Sequence, residues 1–147
     1  MNRLIDDTTE DLMAVLGSAG EEEVRSFLRE HFARGTPTFV QYMDELLEQK
    51  GLKRQEVLLR ADLPQKYGYK LLTGESHTTD RDKLLRLCLS LELSLKQTQR
   101  VLRLYGMSEL YPKVPRDVVL IAAIGRRQYD LHEISRELTE AGLEPLI

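Results

Sequence analysis

The chain has 147 residues, of which 41% are hydrophobic and 31% charged. This suits one domain, or one small domain with appendages, and excludes a disordered composition. A net charge of −3 argues against a general nucleic-acid coat, and no apolar run approaches the ~20 residues of a membrane span. Cys88 is the single cysteine, so no internal disulfide can form, and the opening MNRLIDDTTED lacks the basic and apolar regions of a signal peptide. Both features lead to the expectation of a cytoplasmic protein.

Helices are predicted at about 9–16, 21–33, 39–50, 54–61, 65–72, 80–91, 95–105, 116–128 and 131–141. The expected fold class is therefore all-α. Thr8-x-x-Asp11, Thr38-x-x-Gln41, Thr79-x-x-Asp82, Ser94-x-x-Gln97 and Asp130-x-x-Glu133 have the form of capping boxes or their relatives. Gly17, Gly51, Gly74, Gly106 and Gly142 follow apolar-periodic segments, where left-handed C-caps are expected.

Residues 1–37 carry four basic and eight acidic side chains and read as an acidic helical arm. The stretch Ala33-Arg34-Gly35-Thr36-Pro37 is a candidate linker after it. Phe39, Met43, Leu46 and Leu47 then mark a buried helical stripe. Two short helices follow, Lys53 to Ala61 and Gln65 to Leu72, joined by Asp62-Leu63-Pro64 and bracketed by Gly51 and Gly74. Lys50, Lys53, Arg54, Arg60, Lys66 and Lys70 concentrate positive charge there, against only Glu56 and Asp62. A helix fits a DNA major groove, Gln can bond adenine edges, and Lys can bond guanine or phosphate.

Leu84, Leu87, Cys88 and Leu91 form the stripe of the next helix, and Leu95, Val101 and Leu102 that of its successor. Leu110-Tyr111-Pro112-Lys113-Val114-Pro115 is a second candidate linker. The run Val118 to Ile124 is apolar on all sides. It favours strand by residue type, but Pro115 ahead and Arg126-Arg127 behind favour helix. It is expected to be buried centrally or against another subunit. The boundaries that follow are 1–37 for the arm, 38–110 for a central domain and 111–147 for a two-helix extension.

From about Thr38 to Met107 the chain resembles the helix-turn-helix domain of the XRE or Cro/repressor-type regulators. The resemblance implies five helices, the second and third forming the motif, with Val57, Ala61, Leu63 and Leu71 as buried anchors. Four positions depart from the family pattern. Leu58 replaces a usual small residue, Asp62 replaces the turn glycine, Gly68 stands at a normally apolar site, and Arg54 replaces the usual glutamine. Leu58 is expected to be core, with Gly68 making room for it across the motif.

The resemblance implies a sequence-specific regulator of transcription that binds double-stranded DNA by promoter occupancy, as a homodimer and without a cofactor. Gln65, Lys66 and Lys70 would read bases or phosphates with Tyr67 assisting, while Lys53, Arg54 and Thr79 clamp the backbone. Tyr67 and Tyr69, two apart on a helix, point in different directions, so either one packs inside while the other reaches solvent or a sugar-phosphate, or both pack in the core. The alternative function is a protein-binding adaptor that keeps the fold with reduced or lost DNA binding. The acidic arm, residues 6–23, and the C-terminal helices would then be its docking surfaces.

Other chemistry finds little support. His31, His77 and His132 are far apart, and Cys88 has no partner at metal-ligand spacing. Cys88 lies on an apolar stripe, where a buried inert thiol is expected. Ser76-His77 near Asp80 and Asp82 sits where turns and caps form. With no glycine-rich phosphate loop either, an enzyme is not expected.

Overall fold

The computed structural model describes residues 9–32 and 35–147. Among these the chain is all-α, with no strand. The helices are α1 (Thr9–Gly17), α2 (Glu21–Phe32), α3 (Phe39–Lys50), α4 (Arg54–Arg60), α5 (Gln65–Thr73), α6 (Arg81–Ser90), α7 (Leu95–Tyr105), α8 (Pro115–Gly125) and α9 (Leu131–Glu140). None of the described helices is long and apolar enough to cross a membrane.

Local signals set most boundaries. Thr38 with Gln41 and Ser94 with Gln97 form reciprocal capping boxes at the starts of α3 and α7. Asp130 accepts from the amides of His132 and Glu133, a one-way cap. The cap expected at Thr79 belongs instead to Asp80, whose carboxylate accepts from the Asp82 amide at 3.0 Å. Thr78 Oγ1 in turn accepts from the Asp80 amide at 3.0 Å. The hydroxyl at Thr78 thus fixes the turn one residue later than the sequence pattern implies. The cap residue expected for the first helix, Thr8, lies outside the described residues. Gly51, Gly74, Gly106 and Gly142 take the left-handed conformation after α3, α5, α7 and α9. Gly17 does not, and ends α1 as a helical residue.

The core gathers around α6. From Leu84 to Leu91 only Arg86 is not fully buried, because α4, α7 and the C-terminal segment close over it from different sides. Phe39, Tyr42, Met43, Leu46 and Leu47 bring α3 onto the same core, where it packs on α5 and α7. The central helix is therefore α6, not the apolar run Val118–Ile124. That run is helical, and α8 buries only Asp117, Leu120, Ala123 and Ile124, while Val118 stays 46% exposed. α9 covers one side of α8 and leaves the other open.

The second candidate linker is held at both ends. Gln99 donates to the Leu110 carbonyl at 2.9 Å and accepts from the Leu110 amide at 2.7 Å. The buried Asp117 carboxylate accepts from the Tyr111 amide at 2.9 Å and from Arg81 at 2.8 Å. Arg116 forks onto Asp82 at 2.6 and 2.8 Å and also donates to the carbonyls of Glu144 and Pro145. The Asp82 carboxylate raises the Arg116 guanidinium above its ordinary value, in spite of partial desolvation. Asp82, which the sequence suggests as part of a cap, is therefore the anchor of the C-terminal helices. At the other end of the chain, α1 buries no residue, and Met13, Val15, Leu16, Val24 and Leu28 on α1 and α2 are exposed.

Candidate nucleic-acid interface

The close approach of α4 and α5 shapes the basic face. α4 ends as Asp62 takes a left-handed φ of +56°, which lets the Leu63 amide reach the Leu58 carbonyl at 3.0 Å. Asp tolerates this region better than most residues with a side chain. Pro64 then leads directly into α5. A Cβ at Gly68 would collide with the Leu58 side chain, so glycine here is a packing requirement. Leu58 is 1% exposed and fills the space that Gly68 leaves.

α3, α4 and α5 enclose an open hollow of about 780 Å³. Lys53, Arg54, Lys66 and Lys70 line it, against Asp44 and Glu75, with Gln55, Gln65 and Tyr69 among them. Neither α4 nor α5 has a side-chain cap at its N-terminus. Uncapped amides at a helix start carry partial positive charge and suit anions.

The expected contact residues divide by position. Lys53 and Lys66 are exposed, and Lys70 is half-buried, all three in the hollow. Gln65 is also there, with Nε2 donating to the Gln55 carbonyl at 3.1 Å. Arg54 pairs with Asp44 at 2.7 Å, and its guanidinium lies 5.6 Å from the centre of the Tyr69 ring. Thr79 is exposed ahead of α6 and does not line the hollow. Tyr67 points elsewhere, with its hydroxyl accepting from Lys83 on α6 at 3.2 Å and its ring packed on the core. Tyr69 is the outward tyrosine, 51% exposed. The sequence holds the signal that identifies it: residues 65, 66, 69 and 70 share one helical face, and 67 lies nearly opposite 65.

Cys88 and His77 are engaged in packing. Burial pushes the Cys88 thiol up to about 12, so it is a protonated core residue. His77 stacks on Tyr105 with ring centres 4.6 Å apart, and the Tyr105 hydroxyl accepts from the Thr78 amide at 2.7 Å. Among the described residues no group of three or more His, Cys, Asp or Glu side chains could hold a metal ion. A second cleft, of about 650 Å³, lies where the ends of α4 and α6 meet the α8–α9 connection. Asp62, Glu92 and Arg127, the three non-glycine residues with left-handed φ among those described, all line it. Comparison with family models, with curated proteins and with solved structures finds no match to this chain.

Proposed function

We propose that α3 to α7 form a repressor-like helix-turn-helix domain of the XRE type. In this reading the protein is a homodimeric, sequence-specific regulator that binds double-stranded DNA and acts by promoter occupancy, without a cofactor. The observation that carries the reading is the outer face of α5, where Gln65, Lys66, Tyr69 and Lys70 stand together beside uncapped helix amides. Amide and ammonium groups bond base edges in the major groove, and cations and helix amides bond phosphate. Lys53 supplies a phosphate contact at the start of α4. Arg54 reaches phosphate by exchanging its carboxylate partner, Asp44, for the backbone anion. A dimer would engage two half-sites about one helical turn apart.

A protein-binding adaptor is the competing reading. It is favoured by the prior engagement of two candidate contacts, Arg54 with Asp44 and Gln65 with the Gln55 carbonyl.

Selection of bound duplexes from random DNA separates the two. The regulator reading expects an enriched motif and an affinity that falls steeply with salt. Lys66→Ala and Lys70→Ala should each weaken binding with a stability change under about 0.5 kcal/mol, as at other surface positions. An adaptor would enrich no sequence and pass unretained through a polyanion column at low salt.

A further inference from the structure

Among the described residues, every exposed large hydrophobic apart from Leu59 on α4 and Tyr69 on α5 lies in one of two places. One is the arm, with Met13, Val15, Leu16, Val24 and Leu28; the other is the open side of α8 and the segment before it, with Tyr111, Val114 and Val118. On α2, Val24, Phe27 and Leu28 recur at helical spacing and share one face. On α8, Val118, Ala122 and Gly125 share the open face with Val114 just ahead, and no charged residue interrupts that row. Its small residues allow a second helix to approach closely. The two helices are 12 and 11 residues long, about 18 and 16 Å at the usual rise, so their faces match in length.

The charges around the two faces are complementary. Glu23 and Glu30, seven residues apart, flank the α2 row, and Lys113 and Arg127 stand at the two ends of α8. Among the described residues these four side chains have no hydrogen-bond or ion-pair partner, unlike Arg25, Arg29 and Arg126, which are paired. An antiparallel crossing brings Glu23 toward Arg127 and Glu30 toward Lys113. In the folded single chain the faces do not meet, because Leu28 remains 52% and Val118 46% exposed. The complement of each face is therefore carried by the same sequence but left uncovered by it.

We infer that α2 of one copy packs antiparallel on the open face of α8 of a second copy, so that two chains exchange their N-terminal arms. This rests on the homodimer in the functional reading above and gives that dimer its surface. A two-fold axis makes the contact twice.

Light scattering coupled to size exclusion tests the association. The wild-type chain should be a dimer at micromolar concentration, and Leu28→Asp and Val118→Asp should each weaken self-association at least tenfold. Both positions are exposed, so the melting temperature of dilute protein should not fall; a monomeric variant with an intact melt supports the contact. Leu28→Cys mixed with Val118→Cys should give a disulfide heterodimer under mild oxidation, since the buried Cys88 does not compete. A monomeric wild type, a dimer indifferent to both aspartates, or closure of a Leu28→Cys/Val118→Cys chain on itself at high dilution overturns the inference. A dimer indifferent to both aspartates that still selects a DNA motif leaves the functional reading standing. A dimer sensitive to both that selects none removes that reading alone.

Discussion

Alanine exceeds glycine in helix propensity by about 1 kcal/mol, so propensity alone would make Gly68→Ala stabilising. The collision of the added Cβ with Leu58 reverses the sign: we expect Gly68→Ala to destabilise, and Leu58→Ala to cost roughly 2–5 kcal/mol as a cavity opens in the core. Urea melts of both variants and of the double variant measure the coupling. A double variant costing as much as the sum of the singles would mean that the two positions do not share a space. Cys88 gives a second residue-scale test. Its folded value is raised from 9.0 to about 12, so the folded state holds the proton more tightly than the unfolded state. The stability this contributes is complete below pH 9 and is lost as pH rises toward 12. Wild type should therefore lose stability faster than Cys88→Ala above pH 9, and parallel alkaline melting curves would refute the assignment. Tyr67 and Tyr69 mark the limit of sequence reading at this scale. Their divergence follows from helix geometry, but which of them meets Lys83 depends on where α6 lies.

Periodicity and end signals made the elements legible, and every predicted helix is present to within a few residues. The misplaced cap at α6 has a local cause. Thr78, Thr79 and Asp80 can all accept a hydrogen bond, and the sequence pattern cannot tell which one faces the amides. Asp80→Ala should destabilise by about 1 kcal/mol, whereas Thr79→Ala should change stability by less than about 0.5 kcal/mol. Chemical denaturation of the two variants decides it, and a larger loss at Thr79 would restore the capping box there. At α8 the composition signals burial without naming the partner. Seven consecutive apolar residues imply burial on all sides, yet a helix that ends a bundle can present half of them to the outside. Only the packing partners, α7 and α9, decide which half.

Across the whole molecule, ion pairs join the C-terminal helices to the rest. Arg116 and Arg81 reach between α6 and α8 in opposite senses, with Asp82 and Asp117 as their partners. Both α6 residues precede the central stripe, so the pairing links the outermost hairpin to the innermost helix. Sequence reading did not find it, because the partners lie 34 and 36 residues apart and each has an adequate local explanation. Removing a charge-assisted pair of this kind costs roughly 1.5–3 kcal/mol. Arg116→Ala should accordingly speed hydrogen exchange in α8 and α9 while the slowest amides of α6 keep their protection. Uniform acceleration over all helices would show that the hairpin has no opening of its own.

The fit between Leu58 and Gly68 also bears on how kinship can be read from this chain. The repressor-like pattern has a small residue at the first position and a bulky apolar one at the second; here bulk and smallness have traded places. Set beside that pattern column by column, the trade counts as two independent mismatches. Physically the two positions act as one, since the space that Gly68 leaves on α5 is filled by Leu58 on α4. Changing either position alone would leave the core overfilled or hollow. Likeness is then better sought in the summed volume of the pair than in either letter.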